Sequence, residues 1–157
     1  MIEPSSKKKT REFDKRIIWY LGNAIVTFVA MVCLVFLPLY EKTSGEQTSY
    51  LSAFGYATSL EGAQMWVFIV FIILLIALLI TSSSLLSINA FNKKRDLEKK
   101  DKFFTIATIL NIIAFAGYGL FAFALNLLIS MAICILLALL YFIGLWIHFK
   151  HFSCLAD

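Results

Sequence analysis

Over most of this chain the apolar positions run together instead of alternating with polar ones. Three stretches carry no Asp, Glu, Lys, Arg or His: Ile17 to Tyr40, Gly62 to Asn92 and Phe103 to Ile147. A helix crossing a hydrocarbon core of about 30 Å needs about 20 such residues, at about 1.5 Å of rise each. The first two stretches hold one span apiece. A single helix over the third would reach roughly twice the core thickness, so that stretch folds back and supplies two. The pattern predicts helices over about 17–39, 64–88, 103–119 and 126–148, with a tight external turn at 120–125. The fold class expected is all-α: a polytopic membrane protein of four transmembrane helices, built as two helical hairpins in one membrane domain, 17–148. Tails over 1–16 and 149–157 flank it.

Small and polar residues inside the apolar stretches recur at helical spacing. Asn23, Thr27 and Ala30 share one face of the first helix, and Thr81, Ser84 and Ser87 share one face of the second. Ala107, Asn111 and Ala114 do so on the third, and Ser130, Cys134 and Ala138 on the fourth. In a membrane, small side chains let helices approach closely, and hydroxyls bond back to carbonyls of their own helix. Asn23, Thr27, Ser84, Ser87, Asn111, Ser130 and Cys134 are therefore the expected helix-packing positions. Pro38 marks the exit of the first helix, and Gly117 and Gly119 loosen the end of the third.

The segment 40–63 is longer than a connection between two neighbouring helices needs to be. It holds a turn signal at Thr43-Ser44-Gly45-Glu46. Leu51, Phe54 and Thr58 then repeat at helical spacing, which predicts a short amphipathic helix on the membrane surface. Gly55 weakens that helix and leaves a hairpin around itself, or a poorly ordered connector, as alternatives. The segment is the expected contact surface for a protein partner, through Tyr50, Leu51, Phe54 and Tyr56.

Charge sets the expected orientation. Thirteen of the fourteen Lys and Arg residues lie in Lys7 to Arg16, Lys93 to Lys102 and at Lys150, whereas 40–63 holds Lys42 alone. By the positive-inside rule both termini and the loop 89–102 are cytoplasmic and the loop 40–63 is external, in a protein integral to the cell (plasma) membrane. The net charge of +4 then reflects topology and contact with anionic headgroups of the lipid bilayer, and no nucleic acid partner is expected.

Chemistry is sparse. The predicted spans hold no ionisable group of the kind that couples transport to protons. Cys33, Cys134 and Cys154 form no C-x-x-C pair and no disulfide framework. His148, His151 and Cys154 fall within about a third of a helix circumference and are metal-ligating types, but a closed site needs a fourth ligand, and interfacial histidines snorkelling beside Lys150 are the expected reading. No cofactor and no catalytic constellation is expected. The leading expectation is a non-catalytic subunit or accessory protein of a membrane complex, bound to a membrane protein partner or to itself. A homo-oligomeric channel or transporter for an ion or small uncharged solute, lined by Thr81 to Ser84, Asn23, Thr27 and Asn111, is the alternative. An inner-surface lipid-modifying enzyme stands third, since Asp96, Glu98 and Asp101 lack a metal-binding spacing.

Overall fold

A computed structural model describes residues 4–92 and 94–152, with side chains from Lys15 onward. The elements in order are α1 (Pro4–Phe36), β1 (Tyr40–Ser44), β2 (Gln47–Leu51), α2 (Ala53–Ser59), α3 (Gly62–Phe91), α4 (Leu97–Ala124) and α5 (Leu128–His151). Residues Lys15–Phe36 of α1, and the whole of α3, α4 and α5, are long and apolar enough to cross a membrane. Their exteriors are aliphatic: Ile25, Val29, Ile73, Leu74, Ile113, Leu136 and Leu139 are all about half exposed. Such a continuous apolar surface suits lipid as solvent and would aggregate in water.

α1, α4 and α5 each run past one end of the apolar stretch that predicted them, because backbone capping and not hydropathy sets a helix end. α4 begins at Leu97, inside the charged loop, where Leu, Glu and Lys are good helix formers. It also continues through the expected turn at 120–125, and the real turn is confined to 125–127. Asn126 adopts φ 58 there, a left-handed conformation that asparagine tolerates, while Leu127 N donates to Ala122 O at 2.8 Å. α1 ends at Phe36, earlier than expected, because proline bars helical geometry at the residue before it as well as removing its own N–H.

α1 packs on α3, α3 on α4 and α4 on α5, and α1 and α5 meet across a groove. Of the positions on the expected faces of α1, α4 and α5, Thr27, Ala30, Ala107, Asn111, Ala114, Ser130 and Cys134 are buried and Ala138 is half-buried. Asn23 is half-buried, its Nδ2 donating to Trp19 O at 2.8 Å. On α3 the packed face differs from the expected one. Ser82, Leu86 and Asn89 are buried, whereas Ser84 is exposed and Ser87 half-buried. Ser82 Oγ donates to Ala107 O at 2.9 Å and Ser83 Oγ to Ala24 O at 3.2 Å, so neighbouring serines make the contacts between helices. Thr81 and Ser87 satisfy their hydroxyls on Ala77 O and Ser83 O within α3. Gly119 packs tightly instead of loosening a helix end, since an added Cβ would lie 3.3 Å from Cys134 Cβ.

The segment between α1 and α3 folds as a cap over one end of the bundle, and contains both a hairpin and a helix. β1 and β2 pair antiparallel from Tyr40↔Leu51 to Ser44↔Gln47. The hairpin turns at Gly45, with φ 67, where glycine meets no steric penalty. Gly55 instead lies in α2, and its N–H donates to the N-cap Ser52 Oγ at 3.3 Å.

Candidate functional site

Buried polar contacts concentrate at the two ends of the bundle and at its centre. At the cap end, Tyr40 is fully buried. Its hydroxyl donates to Leu34 O at 2.8 Å and lies 2.8 Å from Tyr118 Oη. Tyr40 has one proton, spent on the carbonyl, so Tyr118 donates to Tyr40. Tyr56 stacks on Tyr40 with centroids 5.7 Å apart and meets Phe68 edge-on at 5.0 Å. Burial raises the phenols of both Tyr40 and Tyr56 above the usual tyrosine range. Ser130 Oγ donates to Leu39 O at 2.9 Å, Ile129 N to Glu41 Oε1 at 3.1 Å, and Lys42 Nζ to Ser59 O at 2.7 Å. The cap is thus fastened to all four long helices.

Its outward surface is aromatic. Tyr50 and Phe54 are 53% and 58% exposed, and Phe36 lies 6.1 Å from Phe54, ring to ring. Of the four residues expected to meet a partner, these two are presented, and Leu51 is half-buried. Tyr56 is a correction: only 7% exposed, it anchors the cap. The 3.6-residue period of α2 turns Ala53, Tyr56 and Ala57 inward, which puts Phe54 on the opposite side.

At the centre, Thr27 Oγ1 donates to Asn23 O at 2.8 Å and accepts from Asn111 Nδ2 at 3.0 Å. Its hydrogen bond with Tyr141 Oη is therefore donated by the phenol. One threonine hydroxyl joins α1, α4 and α5.

The opposite, basic end holds a cluster that the sequence did not reveal. Asp101 is fully buried and Lys100 is 1% exposed, both in the first turns of α4. Arg16 Nη1 donates to Asp101 Oδ1 at 2.8 Å and Tyr20 Oη donates to the same oxygen at 3.1 Å. His148 Nε2 lies 3.3 Å from it, and the imidazole is fully buried. Asn89 Nδ2 donates to Lys100 O at 2.8 Å, which ties in α3. Phe104 covers the imidazole at 4.1 Å between centroids, and Trp19 stacks on Phe152 at 5.9 Å. An ionisable group is therefore buried in the first turns of α4, just before the span expected to begin at 103. Asp101 reads as a solvated loop residue when its neighbours Glu98, Lys99 and Lys102 are considered. The legible signal was helical phase: the face of Ala107, Asn111 and Ala114, continued back, runs through Phe104 to Asp101.

The metal reading finds little support. His148 points inward at Asp101 while His151 is exposed, and Cys154 lies outside the described residues. Among the described residues no three His, Cys, Asp or Glu side chains stand close enough to hold an ion.

These features define a helical bundle with four membrane-length spans, a fastened cap at one end and a buried ion pair at the other. Comparison with family models, characterised proteins and solved structures finds no match.

Proposed function

We propose that the protein is a non-catalytic accessory protein of the cell membrane, which binds another membrane protein through its cap. Both termini and the loop between α3 and α4 face the cytoplasm and the cap faces outward, in keeping with the crowding of Lys and Arg at the opposite end.

The carrying observation is the cap itself. Fixing a residue's backbone costs roughly 1–2 kcal/mol, and a bare connector would need only a few residues. Here the connection is ordered as a hairpin and a helix, held by Tyr40, Tyr56 and Lys42, and it displays Tyr50 and Phe54. Exposed aromatic side chains on a rigid support are the usual anchors of a protein interface. A photo-crosslinking residue at Phe54 in native membranes should yield a discrete adduct of higher mass.

The positions named for the channel alternative do not line one common pathway within the bundle. Thr27 and Asn111 bond to each other inside the bundle, whereas Thr81 and Ser84 are exposed on the outside of α3.

A further inference from the structure

The seam between α1 and α5 is open. A groove of about 580 Å³ runs along it, walled by Ile18 and Val26 of α1 and by Leu140, Ile143 and Ile147 of α5. Gly22 and Gly144 also line the groove, and a Cβ added at either would meet nothing within 4 Å. The volume falls in the range of small-ligand sites, about 300–1,000 Å³.

At the basic end the groove joins a second, polar recess of about 480 Å³. Among the described residues that recess is lined by Lys15, Arg16, His151 and Phe152, and Lys15 and Phe152 belong to both spaces. Arg16 is engaged by Asp101. Lys15 is exposed and makes no ion pair with any described residue. An apolar trough thus opens into a cationic mouth. A second groove of about 520 Å³, between α4 and α5, supplies the contrast: its lining, which includes Ile112, Ala116, Phe123 and Phe142, holds no charged residue.

We propose that the α1–α5 groove holds one anionic phospholipid, its acyl chain along Gly22 and Gly144 and its phosphate against Lys15 and His151. Charge complementarity selects this occupant. Any lipid tail fits an apolar trough, but a net-anionic headgroup gains more from an ammonium at the mouth than a zwitterionic one, whose own cation offsets the attraction, whereas the α4–α5 groove takes lipid without preference. The site is independent of the cap and of which side of the membrane the basic end faces.

The test uses the purified full-length chain, incubated with vesicles of phosphatidylglycerol and phosphatidylcholine in equal amounts and then read by native mass spectrometry. The wild type should retain one phosphatidylglycerol, preferred over phosphatidylcholine by about fivefold or more, as one cation near an anionic headgroup implies. Lys15→Gln with His151→Gln should bring the preference close to parity. Gly144→Leu, which fills the trough, should abolish retention, and Ala116→Leu in the other groove should leave it intact. Tryptophan fluorescence on heating verifies folding of each variant, with Gly22→Leu replacing Gly144→Leu should the latter unfold. Equal retention of the two lipids by the wild type overturns the proposal. So does a preference that survives either the charge removal or the groove filling.

Discussion

Arg16 and Asp101 stand 85 positions apart, yet Arg16 Nη1 lies 2.8 Å from Asp101 Oδ1. The Asp101 side chain is wholly buried and that of Arg16 is 12% exposed. The pair fixes α1 against α4 at the basic end, as Thr27 and Asn111 do at the centre, while Tyr40 and Tyr118 fix β1 against α4 at the cap. A buried pair costs desolvation to make, but breaking one strands a charge.

Asp101→Ala should therefore destabilise the bundle by about 3 kcal/mol, the lower end of the range for a broken buried pair, because Arg16 retains some access to solvent. Replacing the three together, as Arg16→Met with Tyr20→Phe and Asp101→Leu, should cost less, since neither the Arg16 guanidinium nor the Tyr20 hydroxyl is then left without its acceptor. Unfolding in mild detergent, followed by tryptophan fluorescence, measures both.

Gly117 and Gly119 should respond differently to the same change. An added Cβ at Gly119 meets Cys134 Cβ at 3.3 Å, and one at Gly117 meets nothing within 4 Å. Gly119→Leu is expected to cost about 1–3 kcal/mol through overpacking of α4 against α5, while Gly117→Leu should stay within about 0.5 kcal/mol. The same unfolding assay distinguishes them.

Much of this architecture was legible in the sequence. Runs without charge gave four spans because a bilayer penalises charge over a fixed thickness. Helical spacing of small residues placed Thr27, Asn111, Ser130 and Cys134 in the interior. What escaped was decided by phase and capping at the ends of helices. Asp101 follows Lys99 and Lys100 in a charged segment, and only the continuation of α4 to Leu97 turns it inward. Tyr56 and Phe54 are both aromatic and two positions apart, so composition could not say which faced in. On α3, four consecutive hydroxyl residues, Thr81 to Ser84, offered two plausible packing faces, and the serines that reached carbonyls of neighbouring helices were Ser82 and Ser83.

The cap should weaken in strong alkali. Burial holds the Tyr40 phenol above its ordinary value of 10.0, so above that pH the unfolded chain loses this proton before the folded one does. Its contribution is complete below pH 10.0 and is lost as pH rises through the higher folded value. Thermal scans should show midpoints falling above about pH 10, with a shallower fall in Tyr40→Phe.

Orientation can be read by labelling. In a variant without Cys33, Cys134 and Cys154, Gly45→Cys in the hairpin turn should react with a membrane-impermeant maleimide on intact cells, and Lys94→Cys only after the cells are opened. Both positions are exposed, so access to the reagent, not burial, decides the result. The reverse pattern would place the cap in the cytoplasm.

The most direct test of the cap as a binding surface is site-specific photo-crosslinking in native membranes at Phe54, at Tyr50 and at lipid-facing Ile109. Phe54 and Tyr50 are predicted to give the same discrete adduct, identified by mass spectrometry as one membrane protein, and Ile109 only lipid. The adduct should disappear when Tyr56→Ala detaches α2 from Tyr40 and Phe68. Adducts at Ile109 equal to those at Phe54, or none at either cap position, would contradict it.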